Sequence, residues 1–125
     1  MFDGVHIHGL FRATMIHKIG LAITDPLTGI HNRRYFEQRL CEEVALNRRE
    51  VKRPLSLIML DLDDFKGIND RYGHEAGNRL LRQLTRLAQA ELRYTDIMAR
   101  YGGDEFIVLL PETPAMGALE VAGRI

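Results

Sequence analysis

A chain of 125 residues with a formal net charge of zero has room for one domain and a proper core. It carries no global basic field that would draw it to nucleic acid. Its 46% apolar and 27% charged residues are those of an ordinary soluble globular protein. A single cysteine, Cys41, excludes an internal disulfide framework and points to a reducing, cytoplasmic setting. Cys41 reads as a small apolar residue on a helix, with nothing nearby to activate a thiol.

Residues 1–24 read as an N-terminal segment, a short helix or linker. Asp3 and the lack of an early basic region argue against a signal peptide. His17 and Lys18 interrupt the apolar run well short of a membrane span. Phe11, Met15, Ile19 and Ala22 recur at helical spacing, while Gly4, Gly9 and Gly20 weaken the helix. His6-Ile7-His8 admits a metal-binding pair as a minor reading.

Residues 25–125 read as the folded domain. Asp25-Pro26-Leu27-Thr28-Gly29 is a turn, with Pro26 fixing φ and Gly29 permitting a sharp bend. Asn32 is a good N-cap for a helix whose buried stripe is Phe36, Leu40 and Val44, with Tyr35 alongside. Pro54 stops that helix. Residues 55–62, Leu-Ser-Leu-Ile-Met-Leu-Asp-Leu, are almost continuously apolar and read as a central strand covered on both faces. The run ends in Asp61, Asp63 and Asp64. Alternation along a strand puts Asp61 and Asp63 on one face and Leu62 on the other. Burying such a strand end is costly unless a positive group compensates it, and a divalent cation is the usual solution.

A short helix closed by Gly73 follows, then a longer one carrying Leu80, Leu84, Leu87 and Leu92 inward, with Leu81 and Ala88 beside them. Arg79, Arg82, Arg86 and Glu91 are expected to face solvent. Residues 97–99 and 106–110 read as the two strands of a hairpin. Gly102 and Gly103 turn between them by reaching positive φ, and Asp104 and Glu105 stand at the rim. A last amphipathic helix carries Met116, Leu119 and Ala122. Two buried strands against several helices make an α+β layered sheet, with ferredoxin-like connectivity expected.

If the two strands are neighbours, Asp61, Asp104 and Glu105 converge at one sheet end. Oxygen ligands without Cys or His suit Mg²⁺ or Mn²⁺, and such ions suit phosphoryl or nucleotidyl transfer. Lys66 is placed to screen phosphate charge, and Gly102 and Gly103 leave room for a triphosphate. A solvated acidic hairpin tip is the plainer alternative.

Gly102-Gly103-Asp104-Glu105-Phe106 matches the GGDEF signature of bacterial diguanylate cyclases. It does not stand alone. Asp25-Pro26-Leu27-Thr28-Gly29 with Asn32-Arg33-Arg34, Asp61-Leu62-Asp63 with Phe65-Lys66, Ile68-Asn69-Asp70 and Tyr72-Gly73-His74 resemble that family's motifs in order. The resemblance covers roughly residues 22–125. It implies a nucleotidyl-cyclase-type sheet and condensation of two GTP into cyclic di-GMP, each 3′-hydroxyl attacking the other nucleotide's α-phosphate across a homodimer. By position it implies Asp61, the Leu62 carbonyl and Asp104 as ligands of Mg²⁺ or Mn²⁺, with Asp104 or Glu105 assisting deprotonation of the hydroxyl. Asn69 and Asn78 would read guanine, with Lys66 and His74 near the nucleotide. Arg93 and Asp96 match an RxxD site at which product inhibits, although a helix-end ion pair is the plainer alternative.

Two departures stand against the family pattern. Position 78 is Asn where the family's Gly-Asp would place a guanine-reading aspartate after Gly77. The chain also ends before the family's later strand and basic residues, so the domain is expected to be incomplete, with a C-terminal strand and helix missing. That would leave the strand at residues 55–62 an open apolar edge. Two alternatives remain beside the enzyme: a module that binds GTP or cyclic di-GMP without turnover, and an interaction domain working through its N-terminal helix.

Overall fold

The computed structural model describes residues 23–49 and 53–125. The helix expected in residues 1–24, the His6/His8 pair and the basic Lys52 therefore lie outside the described residues, save for positions 23 and 24. In chain order the elements are β1 (His31–Asn32), α1 (Arg33–Arg49), β2 (Leu55–Asp61), α2 (Phe65–Tyr72), α3 (His74–Gln89), β3 (Ile97–Arg100), β4 (Glu105–Pro111) and α4 (Ala115–Arg124). The strands form one sheet in the order β1-β3-β4-β2. β1 runs parallel to β3, and the other pairings are antiparallel. This mixed sheet with helices packed on it is the α+β architecture expected.

The strands buried on both faces are β3 and β4, not β2. Phe106, Ile107, Val108, Leu109 and Leu110 are all buried, because β4 has a neighbour on each side and helices above and below. α3 and α4 cover one face, where Leu81, Ala88 and Ala118 meet Ile58, Val108 and Leu110. α1 covers the other through Phe36, which packs with Ile97, Ala99, Ile107 and Leu109. β2 pairs only with β4 among the described residues. Ile58 points into the core, while Leu57 and Met59 on the opposite face remain 47% and 55% exposed. α1 lies over β3 and β4.

The helical stripes also rotate from their expected positions. On α3 the buried line is Gly77, Leu81, Thr85 and Ala88, whereas Leu87 is 61% exposed. On α1 Phe36 is buried and Leu40 half-buried, but Val44 is exposed beyond the edge of the sheet. On α4 Ala118 is buried with Val121 and Ala122 against it, while Met116 and Leu119 face outward. Small residues let the backbones of these helices approach the sheet, so bulk alone misjudged the inward face. Cys41 is exposed on α1.

The turns follow their chemistry. Gly29, at φ 79°, closes the Asp25 turn by donating to the Asp25 carbonyl at 2.9 Å. Gly73, at φ 92°, ends α2 by donating to the Asn69 carbonyl at 2.8 Å, a left-handed cap that suits glycine. Asn32 caps α1, its Oδ1 accepting from the Tyr35 N–H at 2.9 Å, while also belonging to the short β1, an element the sequence pattern does not announce.

Candidate functional site

The pairing of β2 with β4 brings the two acidic motifs to one end of the sheet. Asp61 lies directly opposite Glu105 in the register. One residue further, the Leu62 N–H donates to the Asp104 carbonyl at 3.2 Å. Residues opposite in an antiparallel ladder share a face, so Asp61 and Glu105 project together. β2 ends at Asp61, so the alternation expected to carry Asp63 onto the same face stops short of it. Asp63 sits in the turn before α2, and Asp64 adopts φ 55° as that helix's N-cap residue.

Among the described residues no lysine, arginine or histidine pairs with Asp61, Asp63, Asp64, Asp104 or Glu105. This sheet end therefore carries uncompensated negative charge. Nor do three or more His, Cys, Asp or Glu side chains among the described residues gather into a ready cage for an ion. Mg²⁺ rarely takes such a cage; it is held by one or two carboxylates, with water and substrate phosphates completing its octahedron. Asp61, the Leu62 backbone and Asp104 fit that mode.

Gly102 and Gly103 make the connection without left-handed backbone, since among the described residues Gly29 and Gly73 are the glycines at positive φ. A Cβ at Gly102 would meet Glu105 Oε1, the far end of a flexible, exposed side chain that can swing aside. Gly103 faces open space. The Tyr101 and Gly102 N–H groups both donate to the Glu105 carbonyl, at 2.8 and 3.2 Å, folding the turn back on the start of β4.

The two asparagines expected to read guanine come from two adjoining helices. Asn69 on α2 presses its amide against buried Gly77 of α3, where a Cβ would meet Asn69 Oδ1. That oxygen is buried without a hydrogen-bond partner, a costly arrangement unless a donor arrives. Asn78, next to Gly77, is half-buried, while Lys66 and His74 are exposed.

Arg93 and Asp96 occupy the opposite end of the β3–β4 hairpin. The Arg93 guanidinium donates to both Asp96 oxygens, at 2.8 and 3.3 Å, and the Arg93 N–H donates to Oδ2 at 2.8 Å. It also reaches the Pro111 carbonyl at 3.0 Å and Thr113 Oγ1 at 2.7 Å. The Asp96 side chain is 2% exposed and that of Arg93 54%. The hydrogen bond to Asp96 raises the Arg93 pKa further above its already high value. Beside them opens a groove of about 460 Å³ lined by His31, Tyr35, Arg39, Arg53, Arg93 and Asp96. His31 stacks on Tyr35 at 4.1 Å, and burial, then nearby Arg39, lower its pKa from 6.5. The residues that sequence reasoning passed over are His31 and Arg39, which line this groove, and Arg100, considered below. Only adjacency to the glycines marked Arg100 in advance.

The chain belongs to the GGDEF domain family: residues 22–125 match the family described as "Diguanylate cyclase, GGDEF domain". It is 40% identical over 114 residues to the response regulator PleD of Caulobacter vibrioides, spanning 91% of this chain and 25% of that protein. It is 43% identical over 104 residues to the diguanylate cyclase DgcP of Pseudomonas aeruginosa, covering 83% of this chain and 15% of DgcP. The fold superposes on the diguanylate cyclase SiaD of Pseudomonas aeruginosa, solved with its activator SiaC, at TM-score 0.78 and 41% identity, covering 90% of this chain and 45% of that one. It also superposes on the coiled coil and GGDEF domain of DgcB from Caulobacter crescentus, solved with c-di-GMP, at TM-score 0.84 and 29% identity, covering 89% and 58%. The chain thus spans a quarter or less of these two curated relatives.

Proposed function

We propose that this chain is the catalytic domain of a diguanylate cyclase, binding one GTP and working as a homodimer with a second GTP-loaded domain. The 3′-hydroxyl of each nucleotide attacks the α-phosphorus of the other. A P–O3′ bond forms, the bond to the bridging α–β oxygen breaks, and pyrophosphate leaves. Two such steps give cyclic di-GMP. Asp104 or Glu105 takes the hydroxyl proton. Asp61, the Leu62 carbonyl and Asp104 hold Mg²⁺ or Mn²⁺, which when bound neutralises phosphate charge and lowers the pKa of a ligated oxygen. Lys66, His74, Gly102 and Gly103 border the phosphates and ribose, and Asn69 and Asn78 meet the base. Arg93 and Asp96 form the product-binding site. The substrate places the protein in the cytoplasm, and no helix among the described residues is long and apolar enough to cross a membrane.

The observation that carries this reading is the register of β2 on β4, which sets Asp61 against Glu105 and ties Leu62 to Asp104. A second reading, a module that binds GTP or cyclic di-GMP without turnover, draws on Asn78. Guanine offers two adjacent donors, N1–H and the exocyclic amine, and a carboxylate accepts from both, whereas Asn supplies one acceptor and one donor. An unpaired donor costs roughly 1–3 kcal/mol, about tenfold to a hundredfold in affinity. Incubation with Mg²⁺ and GTP or ATP, followed by chromatography, separates the readings for the wild-type chain and Asn78→Asp. Cyclic di-GMP in the eluate supports the enzyme, with Asn78→Asp gaining GTP affinity over ATP. Retained but unconverted GTP or cyclic di-GMP supports the module. No affinity for either nucleotide contradicts both.

A further inference from the structure

Arg100 is the last residue of β3, and its guanidinium turns back under the glycine connection that follows. Nε donates to the Gly102 and Gly103 carbonyls at 3.3 and 3.2 Å, and an η nitrogen reaches the Gly103 carbonyl at 2.6 Å. The other η nitrogen pairs with Asp25 Oδ1 at 3.4 Å. Both side chains are largely buried, 21% exposed for Arg100 and 13% for Asp25. Asp25 is itself fixed, because its other oxygen accepts from the Thr28 N–H at 2.9 Å and the Thr28 hydroxyl at 2.6 Å. Its two oxygens thus serve two turns that lie 75 residues apart. The neighbouring side chain is held from the same segment: the Tyr101 ring carries the Arg33 guanidinium over its face at 4.0 Å and the Phe36 ring at its edge.

A turn containing two glycines has more conformations to lose than any other, and nothing in its own side chains restrains it. The restraint comes from below. A guanidinium can bridge two carbonyls because its planar fork presents several donors at fixed angles, whereas an ammonium offers only a point of charge. We propose that Arg100, seated by Asp25, is a positioning residue for the reaction proposed above. It sets the path of the glycine turn, and with it the placement of Asp104 and Glu105 against Asp61. The inference rests on that functional reading for its consequence and on the hydrogen bonds alone for its geometry.

The test has two arms on the 125-residue chain. The first is amide hydrogen exchange at Tyr101 and Gly102, whose N–H groups donate to the Glu105 carbonyl; local opening of the turn accelerates it. Arg100→Ala is expected to speed these two amides at least about tenfold, with Asp25→Asn intermediate, while amides where Ile97 pairs with Leu109 keep their wild-type rates. The second is calorimetry with Mg²⁺ and a GTP analogue blocked at the α–β bridge. Arg100→Ala should lose about tenfold in affinity, and Arg100→Lys should recover part of it. Wild-type exchange at the turn in Arg100→Ala, or acceleration spread evenly through the sheet, would overturn the proposal. Local acceleration with unchanged analogue affinity would overturn the positioning role. Failure of the wild-type chain to bind the analogue would count against the proposed function and leave the clamp to the exchange arm.

Discussion

The two ends of the β3–β4 hairpin are built on opposite electrostatic plans. At the glycine end, strand register sets Asp61 opposite Glu105 with Asp104 one residue away, and no cation among the described residues pairs with them. At the other end, Arg93 and buried Asp96 satisfy one another and tie down Pro111 and Thr113. Exposed charge without a partner stays free to meet a ligand, whereas charge already paired contributes to the fold. The same substitution, removal of one charge, should therefore cost function at the first end and stability at the second.

The largest effect is expected at Asp104. Asp104→Asn removes ligand charge and a candidate base at little steric cost, so formation of cyclic di-GMP should fall about 10²- to 10⁴-fold. Thermal melting followed by circular dichroism should be unchanged or slightly raised, since one carboxylate leaves a cluster of like charges. A large drop in melting temperature would mean that the acidic end is a structural network after all, and the contrast would collapse.

Arg93→Ala should do the reverse. It leaves the buried Asp96 carboxylate without its guanidinium and the Thr113 hydroxyl without that donor, while the Pro111 carbonyl keeps the Thr113 hydroxyl at 2.9 Å. A loss of about 1–3 kcal/mol follows, several degrees of melting temperature for a domain of this size. Affinity for cyclic di-GMP should fall and affinity for GTP hold, as calorimetry on both ligands reads. Equal loss of both affinities, or of neither, would leave Arg93 as a purely structural pair.

The smallest effect lies at His31, on the groove beside Arg93. Its pKa is lowered from 6.5, by burial first and by Arg39 second, so the folded chain binds this proton less readily than the unfolded chain. The contribution is intact above about pH 6.5 and is lost as pH falls toward the lower folded value. Wild type should therefore lose more melting temperature between pH 7 and 5 than His31→Gln. Equal slopes would mean the imidazole is not sensing its surroundings.

The contrast between the ends also explains what was legible in the sequence. The acidic end rests on local signals: a strand terminating in Asp61, and two glycines before Asp104 and Glu105. The hairpin then follows from pattern. Burial is a property of neighbours and left less trace. The apolar run of β2 resembles a central strand, yet β2 has one partner among the described residues, and the strands buried on both faces are β3 and β4. Leu80, Leu84 and Leu87 suggest one face of α3, but Gly77, Leu81, Thr85 and Ala88 form the packed face, where small residues permit close approach. β1 is only two residues long and exists because β3 offers it an edge. Gly102 and Gly103 do form the turn the pattern suggests, but neither reaches the positive φ expected of it. The partners of Arg93 at Pro111 and Thr113 lie 18 and 20 residues away, beyond any local pattern.

The central claim is that the end of the sheet holding Asp61 and Asp104 receives a divalent cation together with a nucleotide triphosphate. Paramagnetic broadening by Mn²⁺ in amide spectra tests it most directly, with and without the GTP analogue blocked at the α–β bridge. The account predicts weak broadening by Mn²⁺ alone, because no preformed cage exists among the described residues. Addition of the analogue should produce tight broadening centred on Leu62, Gly103 and Asp104. Broadening centred elsewhere, or analogue binding that does not draw the ion to these amides, would contradict it.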